Sequence, residues 1–236
     1  MRSRGSSCRA QGQAFLRKMR LLREEMKMSN RDLFLFSGVS SFLAFLVLLF
    51  FYRESFFYEI FLHLSFLFGA FFLLSIDSKE QNIKKILERI GLPPKDWKQF
   101  FLFFALGFLS LIVVLFLIST VLGHFGYADN ERVFQKLSSV PFWILPFAVL
   151  IAPFTEELFF RAALMPRFGV IGSSLLFGVM HIFYGSVMEV VGAIIIGILL
   201  AMAYKKSRTI MVPIAIHLFY NLLSLSLYFL YYRVLL

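Results

Sequence analysis

Ionisable and amide side chains interrupt the apolar second half of this sequence at three separate places. In chain order these side chains are Glu156, Glu157, Arg161, His181, His217 and Asn221. A charge at the centre of a bilayer costs about 2.5–3.5 kcal/mol on insertion scales, so such residues are rare in apolar segments and mark functional positions. These residues are therefore the candidates for a functional site.

Their types predict the hydrolysis of a carbonyl compound. A carboxylate beside an imidazole can activate a water molecule, because either group can accept the proton of that water; Glu156 and His181 are the candidates for this pair. A second imidazole and an amide can donate hydrogen bonds to the oxyanion that forms when water attacks a carbonyl carbon. His217 and Asn221 are spaced i, i+4 and share one helix face, as this task requires.

Three further features of spacing support this interpretation. Glu157 and Arg161 are also four residues apart, so they can form an ion pair on one helix face. Glu156 is rotated by about 100° from Glu157 around a helix, which leaves it free to face elsewhere as an unpaired carboxylate. Phe177 lies one turn before His181 and is expected to pack over it.

The same residue types also allow two alternative roles. The polar side chains could serve only to hold helices together, although interhelical contacts seldom need two adjacent glutamates. Alternatively, Glu156, His181 and His217 could ligate a zinc ion, since carboxylates and imidazoles are its usual ligands. The sequence has no HExxH motif, which argues against the usual zinc-protease arrangement. We therefore expect no cofactor, with zinc as the alternative.

The composition indicates which class of protein must position these residues. Of the 236 residues, 59% are hydrophobic and 16% are charged, whereas an ordinary soluble domain is roughly 45–50% apolar and about 25% charged. The mean hydropathy is +0.79. A single cysteine, Cys8, excludes an internal disulfide. The sequence thus predicts an all-α, polytopic transmembrane bundle and excludes a disordered chain or a routine soluble enzyme.

Apolar runs of the length that a spanning helix needs, about 20 residues, predict seven spans. They occupy residues 33–52, 55–76, 99–122, 141–167, 169–186, 187–204 and 209–232. The fourth and fifth spans should form a hairpin at Phe168-Gly169. Glu156 and His181 then lie at one depth, about 18 Å from the turn, and His217 lies about 15 Å deep.

The remaining segments complete a division into three parts. Residues 77–98 alternate apolar and charged positions at helical spacing and predict an amphipathic helix on the cytoplasmic membrane surface. Met26 and Met28 precede a segment that resembles an N-terminus, so residues 1–27 are expected to be either a disordered tail or an over-extended start. The predicted parts are a basic, disordered tail at 1–32, two N-terminal spans with the surface helix at 33–98, and a catalytic membrane core at 99–236.

The distribution of Lys and Arg predicts the orientation in the membrane. With seven spans and a cytoplasmic N-terminus, 20 of the 24 basic residues fall on the cytoplasmic side and 4 outside, as the positive-inside rule expects. The net charge of +10 is thereby explained without a nucleic-acid partner. The depth estimate predicts substrate access from the cytoplasmic leaflet or laterally from lipid. Glu59 and His63 share one face of the second span and could form a proton relay, but they lie near its outer end, so solvation at the interface is the expectation. Glu189 at the start of the sixth span is likewise expected to be interfacial.

The candidate residues form three motifs, in order and on separate spans. Glu156-Glu157-Leu158-Phe159-Phe160-Arg161 fits EExxxR, Phe177-Gly178-Val179-Met180-His181 fits FxxxH, and His217-Leu218-Phe219-Tyr220-Asn221 fits HxxxN. In this combination the sequence resembles the CPBP (Abi) family of intramembrane proteases, which includes the type II CAAX prenyl endopeptidases and bacteriocin-related proteins. The resemblance covers roughly residues 99–232.

This resemblance implies an intramembrane glutamic endopeptidase acting on a membrane-bound or lipidated substrate, without a metal. It implies that Glu156 and His181 activate water and that His217 and Asn221 form the oxyanion hole. A catalytically silent membrane scaffold or a bacteriocin-immunity factor of the same fold is the first alternative. A proton-coupled transporter is the second, although the paired repeats and broken helices of transporters are not found in the sequence.

Overall fold

The computed structural model of the protein describes residues 57–78, 83–127, 129–139 and 141–235. The predicted tail at 1–32 and the first predicted span at 33–52 lie outside these residues. Across the described ranges every regular element is a helix and none is a strand. The predicted all-α class is therefore confirmed.

The helices follow one another with short connections. They are α1 (Phe57–Ser78), the short α2 (Ile83–Arg89), α3 (Trp97–His124), α4 (Asn130–Ser139), α5 (Leu145–Glu157), a π-helical segment (Leu158–Leu164), α6 (Met165–Met180), α7 (Val187–Ser207) and α8 (Met211–Leu235). Within the described part of the chain, five helical stretches are long and apolar enough to cross a membrane. They are Glu59–Ile76, Trp97–His124, Leu145–Tyr184, Val187–Ser207 and Met211–Leu230.

The longest of these stretches, Leu145–Tyr184, contains the predicted hairpin. Gly169 has φ 71° inside it, a conformation that glycine adopts far more readily than other residues. The chain folds back at Gly169. Phe160 and Phe177 are nearly equally far from Gly169 in sequence, and the centres of their rings lie only 5.2 Å apart. The stretch thus holds the fourth and fifth predicted spans. A continuous helix would instead separate these rings by about 25 Å.

The amphipathic helix at 77–98 exists as α2, but its surroundings differ from the prediction. Ile86 and Ile90 are buried in a core cluster that includes Ile210, so the apolar side packs against protein rather than lying flat on lipid. The Ile210 N–H donates to the Ile90 carbonyl at 3.0 Å. Gly91 ends this segment with φ 77°, and a Cβ at this glycine would lie 2.3 Å from the Arg208 carbonyl oxygen.

The opposite end of the bundle is closed by α4 and the start of α7. The Asp129 carboxylate accepts hydrogen bonds from the Ser186 hydroxyl and the Val187 N–H, both at 2.7 Å. Burial alone would raise the pKa of Asp129, but these hydrogen bonds lower it below its usual value. The contact therefore stabilises the fold at neutral pH and is lost as the pH falls through that lowered pKa. Arg132 adds a hydrogen bond of 2.7 Å to the Gly185 carbonyl.

Candidate active site

A cavity of about 230 Å³ lies inside the bundle, and its wall contains the residues that the sequence singled out. Glu156 reaches it from α5, His181 from the end of α6, and His217 and Asn221 from α8. The fold thus brings together all four residues that were predicted to be catalytic, from segments up to 65 residues apart in the chain. Their chemical roles remain a prediction.

The Glu156 carboxylate lies between two imidazoles. Its Oε1 atom is 3.9 Å from Nε2 of His63, and its Oε2 atom is 3.9 Å from Nε2 of His217. Within the described residues no ion pair or hydrogen bond joins Glu156 to His181, the partner that the sequence suggested. Both side chains nevertheless line the same cavity.

Glu157 turns away from the cavity and forms a separate buried cluster. Its Oε1 atom is 2.9 Å from Nδ1 of His217, and its Oε2 atom is 3.0 Å from Nε of Arg161. The exposed fractions of the Glu157 and Arg161 side chains are 0% and 1%. The Arg161 guanidinium also lies 4.3 Å from the centre of the Phe177 ring, a favourable cation–π position. The two adjacent glutamates therefore have different surroundings, as their rotation around the helix predicts.

The local helix geometry at these glutamates is irregular. Pro153 lies inside α5 and removes one backbone hydrogen bond just before Glu156. Directly after Glu157 the helix changes to a π-helical form over Leu158–Leu164. Such π-helical turns inside α-helices are often found at functional sites. Of the candidate residues, Arg161 lies within this π-helical turn, and Glu156 and Glu157 directly precede it.

The hydrogen bonds of two histidine rings fix which nitrogen carries a proton. Nδ1 of His181 is 2.9 Å from the Phe177 carbonyl oxygen, which can only accept. Nδ1 of His217 faces the Glu157 carboxylate, which also accepts when ionised. Both rings therefore hold a proton on Nδ1, and Nε2 is unprotonated in the neutral form. His217 can donate a hydrogen bond to an oxyanion only as an imidazolium, whereas the amide of Asn221 can donate at any pH.

Sequence reasoning missed His63 as a residue of this site. It was expected to be solvated at an interface, but only 4% of it is exposed and it lines the cavity. Its Nδ1 atom is 2.8 Å from the Thr155 hydroxyl oxygen, on the helix that carries Glu156. Glu59 and Glu189 also line the cavity, which the sequence did not predict. The available signal was the i, i+4 spacing of Glu59 and His63 within an apolar span.

The cavity extends from the level of Glu156 toward the end of the bundle that carries α4. Lys136 of α4, Leu145 at the start of α5 and Tyr184 after α6 line that part of it. Glu156 itself lies about 17 Å along the helix from Leu145, roughly midway to the turn at Gly169. The depth estimate from sequence located the plane of the site but not this direction. Substrate entry from the cytoplasmic leaflet or laterally from lipid stays a prediction, whereas the lining residues favour the end of the bundle that carries α4.

The arrangement does not resemble a zinc site. Among the residues that the structure describes, no three His, Cys, Asp or Glu side chains are grouped so that they could hold one metal ion. The alternative ligand set of Glu156, His181 and His217 is not gathered in that way, and Nδ1 of His217 is occupied by Glu157. Metal-free chemistry remains a prediction that needs its own test.

Fold and site together define a polytopic helical membrane protein with a carboxylate and imidazoles around a cavity inside the helix bundle. Residues 138–223 match the family described as type II CAAX prenyl endopeptidase Rce1-like. The resemblance inferred from the three motifs is thereby confirmed, and all three lie within the match. Comparisons with curated proteins and with solved structures gave no match. The family supports, in general terms, a CAAX-type intramembrane endopeptidase.

Proposed function

We propose that the protein is an intramembrane endopeptidase of the glutamic type, which hydrolyses a peptide bond of a membrane-associated or prenylated substrate. The observation that carries this proposal is the position of Glu156 in a cavity shared with His181, His217 and Asn221, inside the segment that matches the family. A carboxylate, imidazoles and an amide around one cavity supply both a base for water and donors for an oxyanion.

In the proposed reaction, Glu156 accepts a proton from a water molecule that is also held by His181. The hydroxide equivalent attacks the carbonyl carbon of the scissile bond, and the carbonyl oxygen becomes an oxyanion. Asn221 and the imidazolium of His217 donate hydrogen bonds to that oxyanion. The intermediate then collapses, the C–N bond breaks, and Glu156 returns its proton to the leaving amine. Glu157 supports the positive charge on His217.

The roles of water activation and oxyanion stabilisation can be separated by experiment. Asn221→Ala removes one oxyanion donor and should lower turnover by about 10²–10³-fold without moving the acidic limb of the pH profile. His181→Ala should instead alter the acidic limb, since its imidazole shares a proton with Glu156. Both effects are measured as the turnover of an internally quenched farnesylated CAAX peptide by each variant in nanodiscs over a range of pH. An acidic limb moved by Asn221→Ala but not by His181→Ala would invert these roles.

The proposed chemistry also predicts that no metal is needed. Thorough chelation should leave the cleavage rate unchanged, and purified protein should contain much less than one zinc ion per chain. The measurement is elemental analysis together with cleavage before and after dialysis against a chelator. Activity that disappears on chelation and returns only with added zinc would contradict a mechanism through Glu156 and His181 alone.

We further propose that the N-terminus is cytoplasmic, with residues 77–98 and 205–208 on the same side and residues 123–140 outside. This orientation follows from the positive-inside rule. The α4 end of the cavity then faces outward, so substrate approaches from the outer side or laterally from lipid.

Single cysteines in a Cys8→Ser background test this orientation. Glu131→Cys, and Ser224→Cys in the cavity, should react with an impermeant maleimide in intact cells. Lys206→Cys should react only after permeabilisation, and the reverse pattern would refute the orientation.

A further inference from the structure

We propose that His63 is a positioning residue for Glu156, and that it takes and returns the Glu156 proton during turnover. This inference rests on the proposed function. His63 lies on α1, outside the stretch 138–223 that matches the family. The catalytic carboxylate would then depend on a side chain that the family match does not contain.

Neighbours on several sides hold the His63 ring in place. Its Nε2 atom faces Oε1 of Glu156 at 3.9 Å, and its Nδ1 atom is 2.8 Å from the hydroxyl oxygen of Thr155. The rings of Phe66 and Phe147 approach it at 5.8 and 5.5 Å between ring centres. Because Thr155 directly precedes Glu156, one helix segment holds one nitrogen of the ring and presents the carboxylate to the other.

The hydroxyl of Thr155 determines which nitrogen of His63 is left for Glu156. That hydroxyl donates to the Ala152 carbonyl at 3.0 Å, so its oxygen accepts the hydrogen bond from Nδ1 of His63. Nδ1 therefore carries a proton, and Nε2, which faces Glu156, is unprotonated in the neutral ring. His63 can gain and lose a proton at Nε2 while Nδ1 keeps its anchoring hydrogen bond to Thr155.

The proposed step is balanced without any further reactant. After Glu156 takes the proton of the attacking water, that proton passes from Oε1 of Glu156 to Nε2 of His63, which leaves a carboxylate and an imidazolium. The proton then returns from Nε2 of His63 to Glu156 before Glu156 protonates the leaving amine. The distance of 3.9 Å is longer than a hydrogen bond, but such contacts are often long in unliganded sites and shorten when substrate binds.

Other ionisable groups face the same space and bear on any pH dependence. They are Glu156 on α5, His181 after α6, His217 on α8, Glu59 one turn earlier on α1, Lys136 on α4 and Glu189 on α7. A test of His63 must therefore follow one identified proton rather than the total charge. The carboxyl band of Glu156 in the infrared spectrum meets this requirement, since it can be assigned by its loss in Glu156→Gln.

The decisive variant is His63→Asn, which removes the titrating ring but keeps an amide that can bond to Thr155. We expect it to shift the titration midpoint of the Glu156 carboxyl band by about one pH unit. With the farnesylated CAAX peptide, it should lower kcat about 10–100-fold, as is typical of groups that orient a reacting residue, with little change in KM. Ser65→Ala, on the same turn of α1, is the matched control and should change neither quantity.

The outcomes separate this inference from the proposed function. An unshifted carboxyl titration with unchanged kcat in folded His63→Asn overturns the role of His63, even if Glu156→Gln is inactive. A shifted titration in a protein that does not cleave the peptide supports the pairing and counts against the proposed function. Should His63→Asn not fold, Thr155→Val is measured instead. A shift in Thr155→Val that is absent in Thr155→Ser supports the inference, and no shift in Thr155→Val overturns it.

Discussion

Replacement of Glu156 by glutamine is expected to lower peptide cleavage by about 10²–10⁴-fold, because glutamine has nearly the same shape but cannot accept a proton from water. The side chain is only 14% exposed, and the nearest imidazoles are 3.9 Å from its two oxygens. The measurement is the initial rate of cleavage of the farnesylated CAAX peptide by purified protein in nanodiscs, with folding checked by thermal unfolding.

The matched control for this change is Glu131→Gln on α4, where an exposed glutamate loses its charge at the same end of the protein as the cavity mouth. It should retain the cleavage rate of the unmodified protein. Near-normal turnover in a folded Glu156→Gln variant would refute the glutamic mechanism. Absence of turnover in the unmodified protein, with prenylated and unprenylated peptides alike, would favour the silent scaffold that the sequence left open.

Features that depend on helix period and rise were predictable from the sequence. The hairpin at Gly169 follows from a break between two apolar runs. The common depth of Glu156 and His181 follows from counting residues on either side of that break, because each residue adds about 1.5 Å. The different directions of Glu156 and Glu157 follow from a rotation of about 100° per residue. Each of these quantities is local, so no knowledge of the neighbouring helices is needed.

The contacts that complete the site depend on how helices are rotated against one another. The bond between His63 and Thr155 joins residues 92 positions apart, and that between Glu157 and His217 joins residues 60 positions apart. Because α1 is apolar on all sides apart from a few residues, hydropathy does not indicate which face of it points inward. The same reason applies to α2: its apolar side suits lipid and protein equally, and only packing against Ile210 decides between them.

The second large effect is expected at the buried ion pair of Glu157 and Arg161. Their side chains are 0% and 1% exposed, and the charged atoms are 3.0 Å apart. Removal of Glu157 leaves the Arg161 charge buried and uncompensated, and removal of Arg161 leaves Glu157 with His217 alone. Breaking a buried ion pair in this way typically destabilises a protein by about 3–5 kcal/mol. Glu157→Gln and Arg161→Met should therefore each reduce the yield of folded protein and its unfolding temperature in detergent or nanodiscs. Lys206→Met on α7, where an exposed cation is lost, serves as the control.

The double variant Glu157→Gln/Arg161→Met distinguishes structural support from catalytic support. It removes both charges at once, so no uncompensated ion stays buried and much of the stability lost in either single variant should return. Turnover should nevertheless stay low, because Nδ1 of His217 no longer faces a carboxylate that stabilises the imidazolium form needed at the oxyanion. Unfolding and cleavage of the four proteins of this cycle are measured together. If stability and turnover recover in parallel, Glu157 supports only the fold. If stability recovers without turnover, Glu157 also stabilises the imidazolium form of His217.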